Sequence, residues 1–443
     1  RRQARPRLRR RLRRRLVERR AAAHRGHASP GDLAPRRADA GSATSGRMTV
    51  SLWQDRSAAA QHEIDFLVVG AGISGASTAY WLAERGERVA VVDAGDVAHG
   101  ASGKSGGMLL LGTADPYSRV ADLFGRERAA EIWAFTRENR ALLLERVIGG
   151  GENDAALRLV RTGTASASVS EHEQAELERS GDLLREDGFP MELLDRAAMS
   201  EAFRTGAFFG GLRDPGGMTV DPVRLTERVL GLAREKGAQV LPHHEVFRME
   251  HDDDGVHVWT SQARFRAEMV LLCTNAYSPL VHPHFAGRVY PTRGQMLATE
   301  PLARRVVPFG VYCDFGYEYF WQLPTGELVA GGWRQHHADA EKGYSDETTR
   351  DVQNGLWAFV TGVLPELSGV RVTHRWGGVM GFSGDGLPFA GELPGKPRIK
   401  FLAGHTGHGL GFSFLAARAL VGMALDAEPV GWLGAGRLTL KGG

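Results

Sequence analysis

The stretch Ile64-Asp65-Phe66-Leu67-Val68-Val69-Gly70-Ala71-Gly72-Ile73-Ser74-Gly75 decides the fold of this 443-residue chain. Its first six residues form a short, mostly apolar run that is typical of a buried strand. Residues 76–85 then predict a helix that Gly86 closes, and a second strand over residues 88–92 ends at Asp93. A strand, a Gly-x-Gly-x-x-Gly turn and a helix, followed by an acidic residue about 20 positions further on, are the dinucleotide-binding fingerprint.

Each feature of this fingerprint has a physical reason. Gly70 permits the tight turn, Gly72 lets the backbone approach a pyrophosphate, and Gly75 lets the helix pack on the strand. The helix N-terminus offers N–H groups and partial positive charge to the phosphates. Asp93 is expected to accept hydrogen bonds from the adenosine ribose, and its charge disfavours the 2′-phosphate of NADP. The motif alone does not choose between FAD and NAD.

Further glycine-rich segments follow in a defined order. They are Gly100–Met108 (GASGKSGGM), a strand over 267–272 that leads into residues 273–277, Arg375-Trp376-Gly377-Gly378, the GDGLP segment 384–388, and 401–409 with a helix to about Leu425. With these segments the chain resembles the D-amino-acid-oxidase-like (DAO) family of FAD-dependent oxidoreductases over about residues 62–430. The GASGKSGG pattern and the segment Phe124–Arg128 are most similar to the gamma-glutamylputrescine oxidase-like branch, beside the glycine and sarcosine oxidases.

The resemblance implies an α/β protein with two discontinuous domains. Residues 62–140, 220–287 and 374–430 are expected to form a Rossmann-like FAD-binding domain of the GR2 type. Residues 141–219 and 288–373 are expected to form an α+β substrate domain on a mixed, mainly antiparallel sheet.

The resemblance also implies where FAD binds. The expected contacts are Gly70, Gly72, Ile73, Ser74, Gly75, Asp93, Ala94, Ala101, Ser102, Gly103, Lys104, Ser105, Gly106, Gly107, Met108, Val246, Thr274, Asn275, Gly378, Gly404, Gly407, His408, Gly409 and Leu410. Relatives that bind flavin covalently use a cysteine where Gly378 stands here, or a histidine near Lys104 and Ser105. We therefore expect FAD to be bound non-covalently.

The candidate catalytic residues lie in two segments. Tyr317, Tyr319 and Trp321 alternate along a predicted strand and therefore face one side of a sheet. They form either an aromatic wall over the flavin that suits an amine or ordinary sheet packing. His405 and His408 stand in the loop that faces the flavin in relatives. Tyr319, Trp321, His405 and His408 are the residues that we expect to act at the reacting centre.

The sequence lacks the substrate-carboxylate contacts of relatives that oxidise small amino acids. Their basic residues correspond to Gly107 and Gly411 here. Arg293 is the alternative anion contact, or else part of a structural ion pair. The lysine that sarcosine oxidases place near oxygen is replaced at about Val329.

The expected reaction is FAD-dependent oxidation of a C–N bond in a small amine or amino acid. Hydride passes to the flavin, the imine hydrolyses to an aldehyde or keto product, and oxygen or another acceptor reoxidises the flavin. The alternatives are a dehydrogenase that uses another acceptor, C–O oxidation of a hydroxyacid with His405 or His408 as the base, and a flavin-containing binding protein.

Charge and composition exclude further functional classes for this protein. Sixteen of the 55 basic residues but only three of the 52 acidic ones lie in residues 1–47, so the rest of the chain is acidic. Nucleic-acid binding by the folded part is therefore not expected. The two cysteines provide neither a disulfide framework nor a thiolate metal cluster. The His336-His337 pair lies in a polar stretch and is predicted to form a surface turn, not a metal site. A reducing, cytoplasmic location without a membrane span is expected.

The Arg-rich residues 1–47 lack aromatic residues and isoleucine and are expected to be disordered. Three interpretations stay open. The segment is an extension upstream of a natural start at Met48, a targeting peptide with Leu8, Leu12 and Leu16 at helical spacing, or an electrostatic arm for anionic partners.

Overall fold

The computed structural model describes residues 50–438, so the predictions for residues 1–47 lie outside the described residues. The described chain forms 18 strands. In chain order they are β1 Gln61–Val69, β2 Val89–Val92, β3 Met108–Leu109, β4 Thr164–Ser168, β5 Glu192–Leu194, β6 Gly210–Asp214, β7 Met218–Thr219, β8 Gln239–Leu241, β9 Val246–His251, β10 Val256–Thr260, β11 Arg264–Leu272, β12 Tyr290–Thr299, β13 Gly310–Cys313, β14 Glu318–Gln322, β15 Leu328–Gly331, β16 Val372–Phe382, β17 Phe389–Leu393 and β18 Lys396–Ala403.

Helices connect and cover these strands. The α-helices are α1 Ile73–Glu84, α2 Tyr117–Phe124, α3 Arg126–Leu143, α4 Asp154–Leu157, α5 Glu171–Glu186, α6 Arg196–Phe203, α7 Pro222–Glu235, α8 Ser278–Val281, α9 Arg350–Val363 and α10 Gly409–Asp426. Helix α7 begins where Asp221 accepts hydrogen bonds from the Val223 and Arg224 N–H groups, with Pro222 in the first turn. This is the arrangement that an Asp-Pro helix start predicts.

The first sheet has eight strands in the order β17-β18-β11-β1-β2-β8, with β10 and then β9 attached through β11. Strands β18, β11, β1, β2 and β8 run parallel to one another, whereas β17 is antiparallel to β18 and β10 is antiparallel to β11. The four residues of β2 and the last four of β1 are buried, because both faces of the sheet are covered. Helices α1, α7 and α10 share a core cluster with one face of this sheet. The parallel order β18-β11-β1-β2-β8 with helices on one face is the Rossmann-like arrangement that the fingerprint predicts, while β9 and β10 pack in the core cluster on the other face.

The second sheet has eight strands in the order β16-β12-β15-β14-β13-β4-β6-β5. All its pairings are antiparallel except that between β13 and β4. The predicted fold class, an α/β cofactor-binding part joined to a mixed, mainly antiparallel sheet, is confirmed.

The exact domain limits remain a proposal. The strands of the first sheet come from residues 61–92, 239–272 and 389–403, and those of the second come from residues 164–214, 290–331 and 372–382. Strand β16 lies mostly within the segment assigned to the cofactor domain, yet it pairs with β12 along its whole length. Its C-terminal end reaches the cavity described below, so this strand contributes to both parts.

Within the described residues, one helix is long and apolar enough to cross a membrane, which the sequence analysis did not expect. This helix, α10, has 72% of its 18-residue window buried inside the protein. Its apolar side chains, Phe414, Leu420 and Val421 among them, pack in the core cluster with α1 and α7. Its hydropathy is accounted for by its position in the core.

Candidate active site

A cavity of about 800 Å³ begins at the C-terminal ends of β1, β2 and β11 and continues to the face of the second sheet. Its first wall carries Val69, Gly70, Asp93 and Cys273, which stand at or just beyond those strand ends. Crevices at the carboxyl ends of parallel strands are the usual ligand sites of such sheets. The cavity therefore lies where the fingerprint predicts a dinucleotide.

The glycine turn at this end is closely packed. Gly70 has φ +106°, and a Cβ there would lie 2.7 Å from the carbonyl oxygen of Cys273. A Cβ on Gly75 would lie 1.7 Å from the carbonyl oxygen of Gly70. Ser102 Oγ accepts a hydrogen bond from the N–H of Ile73, the first residue of α1, at 2.9 Å. The turn thus needs glycine at both positions and fixes the start of α1 against the second glycine-rich segment.

Asp93 lies on the cavity wall at the end of β2. Its carboxylate accepts hydrogen bonds from the N–H groups of Ala71 at 2.6 Å and Gly95 at 2.8 Å. Burial raises the pKa of this carboxyl, and the two N–H groups oppose the shift. Val246 and Ala94 line the same end of the cavity. The carboxylate joins the two glycine-containing turns, as is expected of the residue that faces a ribose.

We call residues 100–108 the second glycine loop. Two tryptophans of the second sheet hold it: Trp321 Nε1 donates to the Gly106 carbonyl at 2.7 Å, and Trp376 Nε1 donates to the Lys104 carbonyl at 3.1 Å. A Cβ on Gly106 would lie 2.8 Å from the ring of Tyr319. The loop that lies along the flavin in relatives is therefore attached directly to the sheet that forms the opposite wall.

The two histidines of segment 405–408 are buried in the cavity wall. Ser74 Oγ lies 2.8 Å from His405 Nε2 and 3.0 Å from Ser413 Oγ. The ring of His408 stands edge-on to Tyr312 with 5.6 Å between the ring centres. Burial lowers the pKa of both histidines to about 4, so both rings are neutral near pH 7. Within residues 50–438, His405 Nδ1 and His408 Nε2 have no hydrogen-bond partner.

The structure brings most of the predicted cofactor-binding residues to this one cavity. All of them line it except Gly75, Gly103 and Gly404. Those three lie behind the wall, in positions where a Cβ would clash with a neighbouring group. On Gly75 it would meet the Gly70 carbonyl, on Gly103 the Ala98 carbonyl at 2.3 Å, and on Gly404 the Phe389 ring at 2.6 Å. They shape the turns and do not offer a surface to a ligand.

Three of the four residues expected at the reacting centre line the cavity: Tyr319, His405 and His408. Trp321 is 3% exposed and is absent from the cavity lining, because its indole lies against the second glycine loop. The structure places Trp321 as a support for that loop. Tyr317, the third aromatic of the alternating set, does line the cavity.

Arg293 is not on the cavity wall. Its guanidinium forms a bidentate ion pair with Glu341, with Nη2–Oε1 at 2.6 Å and Nε–Oε2 at 2.7 Å. Both side chains are buried. Of the two interpretations of Arg293, the geometry therefore supports the structural ion pair and not the anion contact. Buried charges of this kind are retained with their partners because separating them is costly.

Sequence reasoning missed several residues of the substrate-side wall: Tyr312, Phe315, Arg334, Tyr344 and Met380. They come from β13, from the turn before β14, from the segments after β15, and from β16. Tyr312 stacks on Tyr319 with 5.7 Å between the ring centres. No motif links these residues, since only the pairing of the strands brings them together. The described residues contain no cluster of His, Cys, Asp or Glu that could hold a metal ion.

Comparison with known proteins agrees with this geometry. The family model described as DAO, FAD dependent oxidoreductase, matches residues 65–423. The gamma-glutamylputrescine oxidoreductase of Escherichia coli is 28% identical over 82% of this chain and 84% of its own length. The glycine oxidase of Geobacillus kaustophilus is 25% identical over 79% of this chain and 89% of its own.

Solved structures share the fold. The crystal structure of glycine oxidase from Geobacillus kaustophilus has a TM-score of 0.72 at 22% identity and covers 85% of this chain and all of that one. L-proline dehydrogenase from P. horikoshii has a TM-score of 0.71 at 19% identity, covering 84% of this chain and 97% of that chain. An oxidase and a dehydrogenase therefore share this architecture.

Proposed function

Because the chain belongs to the DAO family of FAD-dependent oxidoreductases, we propose that it oxidises a C–N bond of an amine or amino acid. One observation carries the proposal: a single cavity joins the dinucleotide fingerprint to a wall of aromatic side chains. The names of the relatives, gamma-glutamylputrescine oxidoreductase and glycine oxidase, support nitrogen-containing substrates. The aromatic faces of Tyr312, Tyr317 and Tyr319 suit an amine or its alkyl chain.

The residues present fit FAD. At the fingerprint end, Gly72 and the first turn of α1 leave room and N–H groups for a pyrophosphate. At the other end, α10 begins at Gly409 without a side-chain cap, so its first N–H groups can face negative charge on a flavin ring. Both cysteines are buried and neither occupies the Gly378 position: Cys273 lies on the cavity wall beside Thr78, and Cys313 lies in the core of the second sheet. These positions support non-covalent binding and a reducing compartment.

FAD, if bound in this cavity, would supply the hydride acceptor for oxidation of the carbon beside the nitrogen; hydrolysis of the product imine by water would give an aldehyde or keto product and release ammonia or the remaining amine. The protein orients the amine between the second glycine loop and the tyrosines, and its buried wall excludes bulk water. Ser74, which is itself hydrogen-bonded to Ser413, holds His405 in place, and the rings of Tyr312 and His408 meet edge to face. We expect these histidines to shape the wall as neutral groups.

Oxidation of a hydroxyacid is the competing reaction. It needs a base within hydrogen-bond reach of the hydroxyl. The pKa of about 4 makes His405 and His408 weak bases, and this favours the C–N reaction, in which the neutral amine supplies its own electron pair.

The test is anaerobic bleaching of the flavin absorbance by a panel of primary amines, secondary amines, α-amino acids and α-hydroxyacids. Bleaching by at least one amine or amino acid, with no response to the hydroxyacids, is expected. Bleaching by hydroxyacids alone overturns the proposal, and a flavin that no compound bleaches favours a binding protein.

The electron acceptor is a separate question. We propose oxygen, with hydrogen peroxide as the product, although the lysine of sarcosine oxidases is absent at Val329, which lies in β15 outside the cavity lining. Stopped-flow mixing of reduced enzyme with air-saturated buffer measures this step. Reoxidation much slower than turnover with an artificial dye would identify a dehydrogenase.

A further inference from the structure

The substrate-side wall contains a cation without a counter-ion. Three residues with a permanent positive charge line the cavity within the described chain: Lys104, Arg119 and Arg334. Lys104 Nζ is paired with Asp346 Oδ2 at 2.5 Å. Arg119 stacks on Phe315 at 4.2 Å and has a carboxylate, Glu173, in its electrostatic environment.

Arg334, like Arg119, has no ion pair among the described residues, but it stacks on two aromatic rings, whereas Arg119 has the buried carboxyl of Glu173 near it. Among residues 50–438 Arg334 has neither a hydrogen bond nor an ion pair, and its guanidinium carbon lies 4.7 Å from the centre of the Tyr317 ring and 5.0 Å from that of Phe382. A guanidinium carries five N–H donors in a planar fork that matches a carboxylate. The two aromatic faces fix its position but satisfy none of these donors.

The backbone around Arg334 is held from both sides. The N–H of Trp333 donates to Glu318 Oε1 at 3.1 Å, and Gln335 Nε2 donates to Glu318 Oε1 at 2.7 Å and to Asp314 Oδ2 at 2.9 Å. Trp333 itself has φ +68°, a left-handed conformation that is unfavourable for a bulky residue. Strain of this kind persists where surrounding contacts determine it, and such positions cluster at functional sites. Arg334 is therefore a fixed cation on the cavity wall.

The position of Arg334 relative to the second glycine loop indicates where on the ligand a negative charge would lie. Tyr319 packs on Gly106 of the second glycine loop, whereas the Arg334 guanidinium stacks on Tyr317, which lies two residues earlier in the chain and up to about 7 Å from Tyr319. Burial raises the pKa of Tyr319 to about 12, and the positive charge of Arg334 opposes this shift. The Arg334 charge therefore acts electrostatically on the tyrosine that packs on the second glycine loop. No lysine or arginine occupies residues 106–108 or 407–411, where the resemblance places the basic residues that bind a carboxylate beside the reacting nitrogen, and His408, the histidine in the second segment, is neutral near pH 7.

We propose that Arg334 determines specificity by binding a carboxylate several bonds away from the nitrogen that is oxidised. The substrate class is then an amine with a carboxylate at its far end, and α-amino acids are poor substrates. This inference rests on the proposed amine oxidation.

The test compares three amines of equal carbon number in the holoenzyme: 6-aminohexanoate, hexylamine and norleucine, with shorter and longer ω-amino carboxylates to bracket the length. The wild type is expected to prefer an ω-amino carboxylate over both of the other classes. R334M is expected to lose about 10- to 100-fold in kcat/KM for that substrate, mainly through KM, since a hydrogen-bonded charge contact is removed. Its kcat/KM for hexylamine is expected to change little, and R334K is expected to recover part of the loss.

R196M is the matched control. Arg196 also stacks on an aromatic ring, that of Phe209 at 5.0 Å, but it does not line the cavity. This variant removes the same charge and the same type of stacking, and it is expected to keep the wild-type preference. Equal losses by R334M on 6-aminohexanoate and hexylamine, or a wild-type preference for norleucine, overturn the inference.

A binding measurement separates this inference from the proposed function. Hexanoate carries the carboxylate without the amine, and its binding is followed by the change in flavin absorbance in the wild type and in R334M. Weaker binding to R334M by about the same factor supports the carboxylate site even if no amine reduces the flavin, in which case only the proposed function fails. If amines are oxidised but neither hexanoate binding nor substrate preference depends on Arg334, the inference fails and the proposed function stands.

Discussion

At the scale of single residues, the carboxyl that holds the Arg334 segment has an unusual environment. Glu318 is 1% exposed, and within the described chain its Oε2 has no hydrogen-bond partner. Burial raises the pKa of Glu318 from 4.5 to about 7, and the neighbouring Asp314 adds to the shift. Two hydrogen bonds to Oε1 oppose it. The residue is therefore protonated in the fold over a pH range in which it ionises in the unfolded chain.

This shift predicts a pH dependence of stability. Between about pH 4.5 and 7 the folded state holds a proton that the unfolded state has lost, so the free energy of unfolding falls as the pH rises through this window. E318Q keeps an acceptor for Trp333 and Gln335 and is expected to remove about 1–3 kcal/mol of this decline. Urea unfolding of the FAD-saturated protein at pH 5 and pH 8 measures the effect. The exposed Glu201 provides the control E201Q, and an unchanged pH slope in E318Q would contradict the assignment.

At the scale of elements, the fingerprint glycines show how sequence signals translate into structure. The sequence predicts β1, β2 and the helix between them, but α1 begins at Ile73, inside the glycine motif, and not at residue 76. The early start follows from Gly72, whose extended backbone serves as the cap and leaves the N–H groups of the next residues at the cavity. A glycine-rich string alone does not distinguish a loop from the first turn of a helix.

Two glycines in helices give a matched prediction. In G75A the new Cβ would lie 1.7 Å from the Gly70 carbonyl oxygen, so this variant is expected to lose about 1–3 kcal/mol or more of stability and to bind FAD poorly. Gly231 in α7 has no neighbouring atom within 4 Å of its Cβ position. G231A is expected to gain about 0.5–1 kcal/mol, since alanine is the better helix former. Thermal unfolding and flavin content measure both, and equal behaviour of the two variants would refute the assigned role of Gly75.

At the scale of the whole molecule, the order of motifs along the chain predicts one cofactor cavity, and the structure brings those motifs to one place. The substrate wall is less predictable from the sequence. Tyr312, Tyr319 and Arg334 are brought together by the pairing of β13, β14 and β15, and their spacing in sequence carries no signal of its own. Arg293 and Arg334 are equally basic in the sequence, and only the position of Glu341 identifies Arg293 as structural.

A cofactor that contacts both sheets links binding to the stability of the whole fold. Addition of FAD to the apoprotein at about 100 times its Kd is expected to stabilise the fold by about 2.7 kcal/mol. NADP at the same concentration is expected to have no effect, because the Asp93 carboxylate repels a 2′-phosphate. Differential scanning calorimetry measures both ligands, and equal stabilisation by NADP would contradict the role of Asp93.

The absence of a cysteine at Gly378 predicts that FAD leaves the denatured protein. After acid precipitation the flavin absorbance is expected entirely in the supernatant. Fluorescence that stays with the protein band on a denaturing gel would show a covalent bond and contradict this prediction.

The attachment of the second glycine loop to Trp321 and Trp376 has a consequence for how molecules enter and leave. A hinge motion that separated the two sheets would break both indole hydrogen bonds and draw Tyr319 away from Gly106. We therefore expect substrate and product to pass through the opening of the cavity while the two sheets keep their positions. Exchange of product for substrate would then require no domain motion, and the second glycine loop would stay attached to its sheet throughout the catalytic cycle.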